Sequence, residues 1–190
     1  MNDVDSSLHT HHQPESQARQ TAERWLIAFE AALSARDTTQ IAGLLHRDSH
    51  WRDVLAFTWN LSSAVGRDDI ATALAATQAS TVARGFYLPL GRKPPRQVRR
   101  LGRDSIEAIF EFTTAVGRGA GIVRLSEDDG AMKAWLISTT LDELDGHAEK
   151  IGDNRPTGAA YSRNFGGANW EDIREKAVAY DDREPTVLVI

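Results

Sequence analysis

The sequence predicts an α+β protein in which three helices precede a mostly antiparallel sheet. Apolar residues recur at helical spacing in its first part and alternate with a period of two after residue 82. Turn signals such as GRKPP and DDGA separate the alternating runs. The totals agree: 190 residues, 41% of them apolar and 26% charged, suit one folded domain of ordinary size with a tail or linker left over.

The tail MNDVDSSLHTHHQPES is polar, and residues 1–14 are expected to be disordered. Its histidines, His9, His11 and His12, make no purposeful metal site. The first helix spans about 15–36, where Ala22, Trp25, Leu26, Phe29, Ala32 and Leu33 form one face. Asp37 and the following threonines stop it and cap a short second helix carrying Ile41, Leu44 and Leu45 and ending near His46. A strand over about 50–59 follows. Gly66 then leads into a third helix, GRDDIATALAATQAST.

After residue 82, Phe86, Leu88 and Leu90 alternate, and the two prolines of GRKPP bar a central strand. In QVRRLGRDSIEAIFEFTT, Ile106, Ala108, Phe110 and Phe112 share a side opposite Glu107, Glu111 and Thr113. GAGIVRLSE and MKAWLISTTLDEL make a hairpin, for five strands in all. GRGAG opens a strand, not a helix, so it reads as a hairpin turn and not a nucleotide loop. From residue 145 the chain turns rich in Gly, Asp, Asn and Arg, with one short helix at about 169–179. The division is therefore a tail at 1–14, an α+β domain at 15–144, and an arm at 145–190 ending in the orphan strand EPTVLVI.

Composition excludes several classes of function. A net charge of −5 offers nothing global to nucleic acid or an anionic membrane. The run Arg92, Lys93, Arg96, Arg99, Arg100, Arg103 reads as a solvated loop and strand edge, with an anion contact as the lesser alternative. The absence of cysteine rules out disulfides and thiolate metal sites and suits the cytoplasm. No stretch approaches the ~20 apolar residues of a membrane span, and no secretory signal precedes the domain. No Ser–His–Asp spacing, Glu-flanked His pair or Gly-Lys-Ser loop argues for a hydrolase, metalloenzyme or NTPase.

HWRDVLAFTWN carries the candidate site. With a period of two, Trp51, Asp53, Leu55, Phe57 and Trp59 share a face, so a carboxylate points with the large apolar groups. An unpaired carboxylate in a core is costly, whereas in a cavity it serves chemistry or binding. Asp53 is thus a candidate catalytic base, a ligand anchor, or half of an ion pair with Arg99 or Arg124. Trp51, Phe57, Trp59, Phe86, Phe110 and Trp135 are candidates to line the pocket of a small apolar ligand, within a mainly aromatic core. His46 and His50 each read as a helix C-terminal cap or a surface group, with an acid–base partner as the lesser alternative. Phe110, Phe112 or Trp135 could serve an exposed sheet face shared by a homodimer.

Three helices before a curved sheet, with LLHRDSHWRD followed by GRDDI, resemble the cone-shaped fold of the nuclear transport factor 2-like superfamily over roughly residues 15–144. Ketosteroid isomerase, scytalone dehydratase, limonene-epoxide hydrolase and polyketide cyclases share that fold. In the isomerase branch the catalytic aspartate lies on the first strand, which implies Asp53 as general base with a raised pKa. WRDVLAFTWN, GAGIVRL, KAWLISTTLDELDGH, GGANWEDIRE and EPTVLVI are together similar to the N-terminal extension of flavin-containing monooxygenase-like oxidoreductases. That resemblance implies FAD and NADPH for a longer parent protein. The expectation for this chain is no cofactor, because it stops at Ile190 before any Gly-x-Gly-x-x-Gly turn. Two functions follow: a ligand-binding or dimerisation module without redox activity, or a small isomerase, cyclase or dehydratase using Asp53.

Overall fold

The computed structural model describes residues 12–155 and 167–181. The chain divides into two units, Met1–Glu149 and Lys150–Ile190, about five residues beyond the expected boundary. Of the expected tail, residues 1–11 lie outside the described residues, as does the expected strand at 184–190.

In the first unit, α1 spans His12–Ala35, beginning three residues earlier than expected. Its apolar face is the expected one: Ala22, Trp25, Leu26, Phe29, Ala32 and Leu33 are all buried. α2 is Thr38–Gly43, capped by the Asp37 carboxylate, which accepts the Gln40 N–H. Leu44 is its C-cap and Leu45 already starts β1, so α2 ends before Leu44 and Leu45. The Trp25 indole N–H donates to the Leu44 carbonyl at 3.0 Å, satisfying both groups where helix gives way to strand.

β1 is Leu45–Val54, earlier and shorter at its end than the expected strand. The chain turns over 55–60 and returns as β2, Leu61–Val65, a strand the sequence reading did not include. The apolar alternation runs on through the turn and hides it. Leu55 and Trp59 take positive φ of 67° and 54°, which breaks the period-two face they were assigned to.

Gly66, at φ 89°, links β2 to α3, Arg67–Thr81. β3 is Arg84–Tyr87, ending before Leu88, which is buried, and Leu90, which is exposed. QVRRLGRDSIEAIFEFTT is not one strand but a hairpin, β4 Arg96–Arg100 and β5 Arg103–Thr113. β6, Gly117–Asp128, and β7, Ala131–Leu144, form the expected hairpin. The described sheet therefore has seven strands, ordered β2-β1-β7-β6-β5-β3, with β4 also on β5. β1 and β7 are parallel and the other pairs antiparallel. Register shifts in the β1–β7 and β6–β7 pairs mark bulges, which bend strands and curve a sheet.

GRGAG lies within β6 and is not a turn. Its glycines have a packing reason: a Cβ at Gly119 would run into the Phe112 ring, and one at Gly121 into the Phe110 ring and the Ser138 carbonyl. Those rings belong to a cluster that fills the space between helices and sheet. Contacts run from Trp25 to Phe29 (4.7 Å), Phe86 (5.5 Å), Phe112 (4.9 Å), Phe57 (5.8 Å) and Trp51 (5.7 Å). Phe110 and Phe112, 0% and 1% exposed, are core and present no surface to a second copy. The outward side of β5–β7 carries Ile109, Ile122 and Ser138 instead, since strand neighbours point to opposite faces.

In the second unit, α4 is Trp170–Ala179, started by a capping box in which Asn169 and Asp172 satisfy each other's backbone N–H. Among the described residues, no helix is long and apolar enough to cross a membrane.

Candidate functional site

Asp53 sits on β1 with no exposure at all. Four donors converge on its carboxylate. The Phe57 N–H reaches Oδ2 at 3.0 Å, the Thr58 N–H at 2.8 Å and the Thr58 hydroxyl at 2.7 Å, while the Thr139 hydroxyl reaches Oδ1 at 2.6 Å. Thr139 in turn accepts the Trp51 indole N–H at 3.0 Å, which directs its own proton at Asp53. The carboxylate thus organises the 55–60 turn and ties β1 to β7. Neither arginine proposed for it comes near: Arg99 pairs with Asp104 and Arg124 with Glu107.

Of the expected pocket residues, Trp51, Phe57, Phe86 and Phe110 meet in the ring cluster, with Phe112 between them. Trp59 does not join them: it is 59% exposed on the turn. Trp135 stands apart under the Arg103 guanidinium, 4.9 Å from the ring centroid.

A cavity of about 600 Å³ lies elsewhere, between α1 and one end of the sheet. Gln17 and Thr21 of α1 face Gln97, Val98 and Arg99 of β4, with Ser105 and Ile106 of β5 as its least exposed lining. Asp104, Glu127 and Met132 complete it. Ser105 also shares a hydrogen bond of 2.9 Å with Ser126, both buried. Neither Asp53 nor any of the six expected pocket residues lines this cavity, while Arg99 of the basic run does.

His46 is neither a helix cap nor a surface group; it is buried on β1, while His50 is exposed. The Asp48 N–H donates to His46 Nδ1 at 3.0 Å, and Arg103 Nη1 approaches Nε2. Burial, then the Arg103 charge, holds the imidazole below its ordinary pKa. The basic run is largely paired: Arg92 with Glu111 and Asp142, Arg96 with Glu107, Arg99 with Asp104, Arg103 with Asp48. Burial pushes the Glu107 carboxyl up, but hydrogen bonds from Arg96 and Arg124 outweigh it and keep its pKa below the ordinary value. Among the described residues, no group of three or more His, Cys, Asp or Glu side chains could hold a metal ion.

The sequence reading missed Thr58, Thr139 and the cavity. Thr139 left a signal: it shares the inward row of β7 with Ile137, a polar residue among apolar ones. The cavity left none, because it exists only where α1, far earlier in the chain, comes to lie beside the ends of β4–β7.

No protein-family model and no curated protein matches the sequence. Solved structures do. An uncharacterised protein with a cystatin-like fold from Caulobacter vibrioides aligns with a TM-score of 0.51 and 13% identity, over 67% of this chain and 91% of its own. A cystatin-like protein from Nostoc punctiforme aligns at 0.47 and 12%, over 65% and 90%, and an Rd1NTF2 chain at 0.47 and 13%, over 63% and 96%. The fold is therefore a cystatin-like one: α+β, with a curved, mostly antiparallel sheet packed on three helices. A fold shared at this identity carries no activity with it.

Proposed function

We propose that the first unit is a binding module without chemistry of its own, which takes a small ligand in the cavity between α1 and β4–β7. The observation that carries this is the cavity of about 600 Å³, where Val98, Ile106 and Met132 offer apolar contact beside Gln17, Gln97 and Ser105. The ligand that fits is small and part polar, instead of the wholly apolar one expected of an aromatic pocket. The isomerase-type alternative needs an Asp53 oxygen free to take a substrate proton, and those oxygens face four donors. Service to a flavin-dependent monooxygenase-like oxidoreductase, as its ligand-binding or dimerisation module, rests on the sequence resemblance alone. In that reading FAD and NADPH belong to a longer parent protein, and this chain binds neither.

The test is a ligand-observed NMR screen of the full chain with small aliphatic and aromatic amides and hydroxy acids. Hits should be lost in Val98→Trp, which fills the cavity, and kept in Thr72→Trp, beside a smaller hollow of about 250 Å³. Hits indifferent to Val98→Trp, or no hits, would remove the reading.

A further inference from the structure

We propose that β2 is a pairing edge, and that two copies of this chain join antiparallel through it, with Ser63 opposite Ser63 on the two-fold axis. β2 ends the sheet path, and among the described residues β1 is its only strand neighbour. Two backbone bonds fix which groups face outward. Gly66 N–H donates to the Ser49 carbonyl at 2.8 Å and Leu55 N–H to the Asn60 carbonyl at 3.1 Å, both continuing the β1–β2 register. Hydrogen-bonded and non-bonded pairs alternate along an antiparallel ladder. Ser62 and Ala64 therefore turn their backbone groups to β1, and Leu61, Ser63 and Val65 turn theirs to the free edge.

Those three residues are also the ones whose side chains share the outward face. Leu61 is 66% and Val65 60% exposed, and Trp59, just ahead of the strand, extends the apolar margin. The strand is LSSAV, with no charge, proline or glycine to blunt it. β4, at the other margin, carries Arg96, Arg99 and Arg100 in five residues, the usual protection of an edge.

The order of residues decides in favour of a second copy. About Ser63, Leu61 falls opposite Val65 and Ser62 opposite Ala64. Apolar thus meets apolar on the exposed face, and Ser63 meets itself. In that register Leu61, Ser63 and Val65 all occupy hydrogen-bonded positions, each pair exchanging two backbone bonds. The strand is its own complement, as a two-fold interface requires.

The full chain should scatter light as a dimer at micromolar concentration. Ser63→Pro removes one outward N–H but none that β1 uses, and it should halve the scattering mass with the circular dichroism unchanged. The chain has no cysteine. Ser63→Cys would therefore set one thiol on each strand across the two-fold axis, with Cα atoms about 5.5 Å apart and within reach of a short bis-maleimide linker. With that linker it should dimerise covalently and fast, whereas Ser80→Cys, exposed on α3, should not. A monomeric chain would overturn the proposal. So would a dimer that survives Ser63→Pro, or cross-linking of Ser63→Cys no faster than that of Ser80→Cys. A monomer whose Ser63→Cys thiol resists labelling would mean that something else covers the edge, and would overturn it too.

Discussion

The Thr139 hydroxyl of β7 donates to the Asp53 carboxylate of β1 at 2.6 Å, between residues that face each other across the one parallel pair of the described sheet. A bond from strand to strand here makes Asp53 a structural tie. Asp53→Asn would set an amide NH₂ against donors and should lower unfolding stability by about 3 kcal/mol. Thr139→Val, which also orphans the Trp51 N–H, should cost about 2 kcal/mol. Urea denaturation measures both. An Asp53→Asn protein as stable as the parent would mean that the carboxylate is free for other work.

Two residues beyond Arg47 on the same strand, Ser49 has a fully buried hydroxyl with no hydrogen-bond partner among the described residues. Removing it relieves an unpaired polar group and leaves only a small gap. Ser49→Ala should raise stability by about 1 kcal/mol in the same denaturation experiment.

Gly121→Ala would push a methyl group into the Phe110 ring and the Ser138 carbonyl, one of them backbone that cannot swing aside. The expected loss is about 2–3 kcal/mol, read as a drop in urea midpoint at unchanged m-value. Gly130→Ala makes the contrast: no atom lies within 4 Å of a Cβ there, so only its positive φ of 76° is strained.

Stability should fall as pH drops below about 6.5, the ordinary histidine value. His46 titrates below that value when folded, so the unfolded chain takes up the proton first and acid draws the equilibrium toward it. Its contribution is complete above the unfolded pKa and disappears as pH falls through the lower folded one. Glu107 and Asp128, also held below their ordinary values, extend the loss into the carboxylate range. Urea midpoints at pH 7 and pH 5 should differ in the parent and differ less in His46→Gln.

What the sequence by itself determined is the set of elements whose period is local. α1 and α3 show their faces in their own spacing, and β5 shows its face in the alternation of Ile106, Ala108, Phe110 and Phe112, because every residue of such a face buries against the same layer. The order of these elements was enough to indicate the fold. Tertiary structure decided what alternation cannot express. The pattern of HWRDVLAFTWN continues unbroken through residues 55–60, yet the chain turns there because the Asp53 carboxylate captures the N–H groups of Phe57 and Thr58. Asp53 stood out in the sequence as a carboxylate on an apolar face. The hydroxyl that satisfies it lies 86 residues away, and nothing in the local spacing of either residue names the other. The cavity is decided the same way, by walls from five elements that only the folded chain brings to one place.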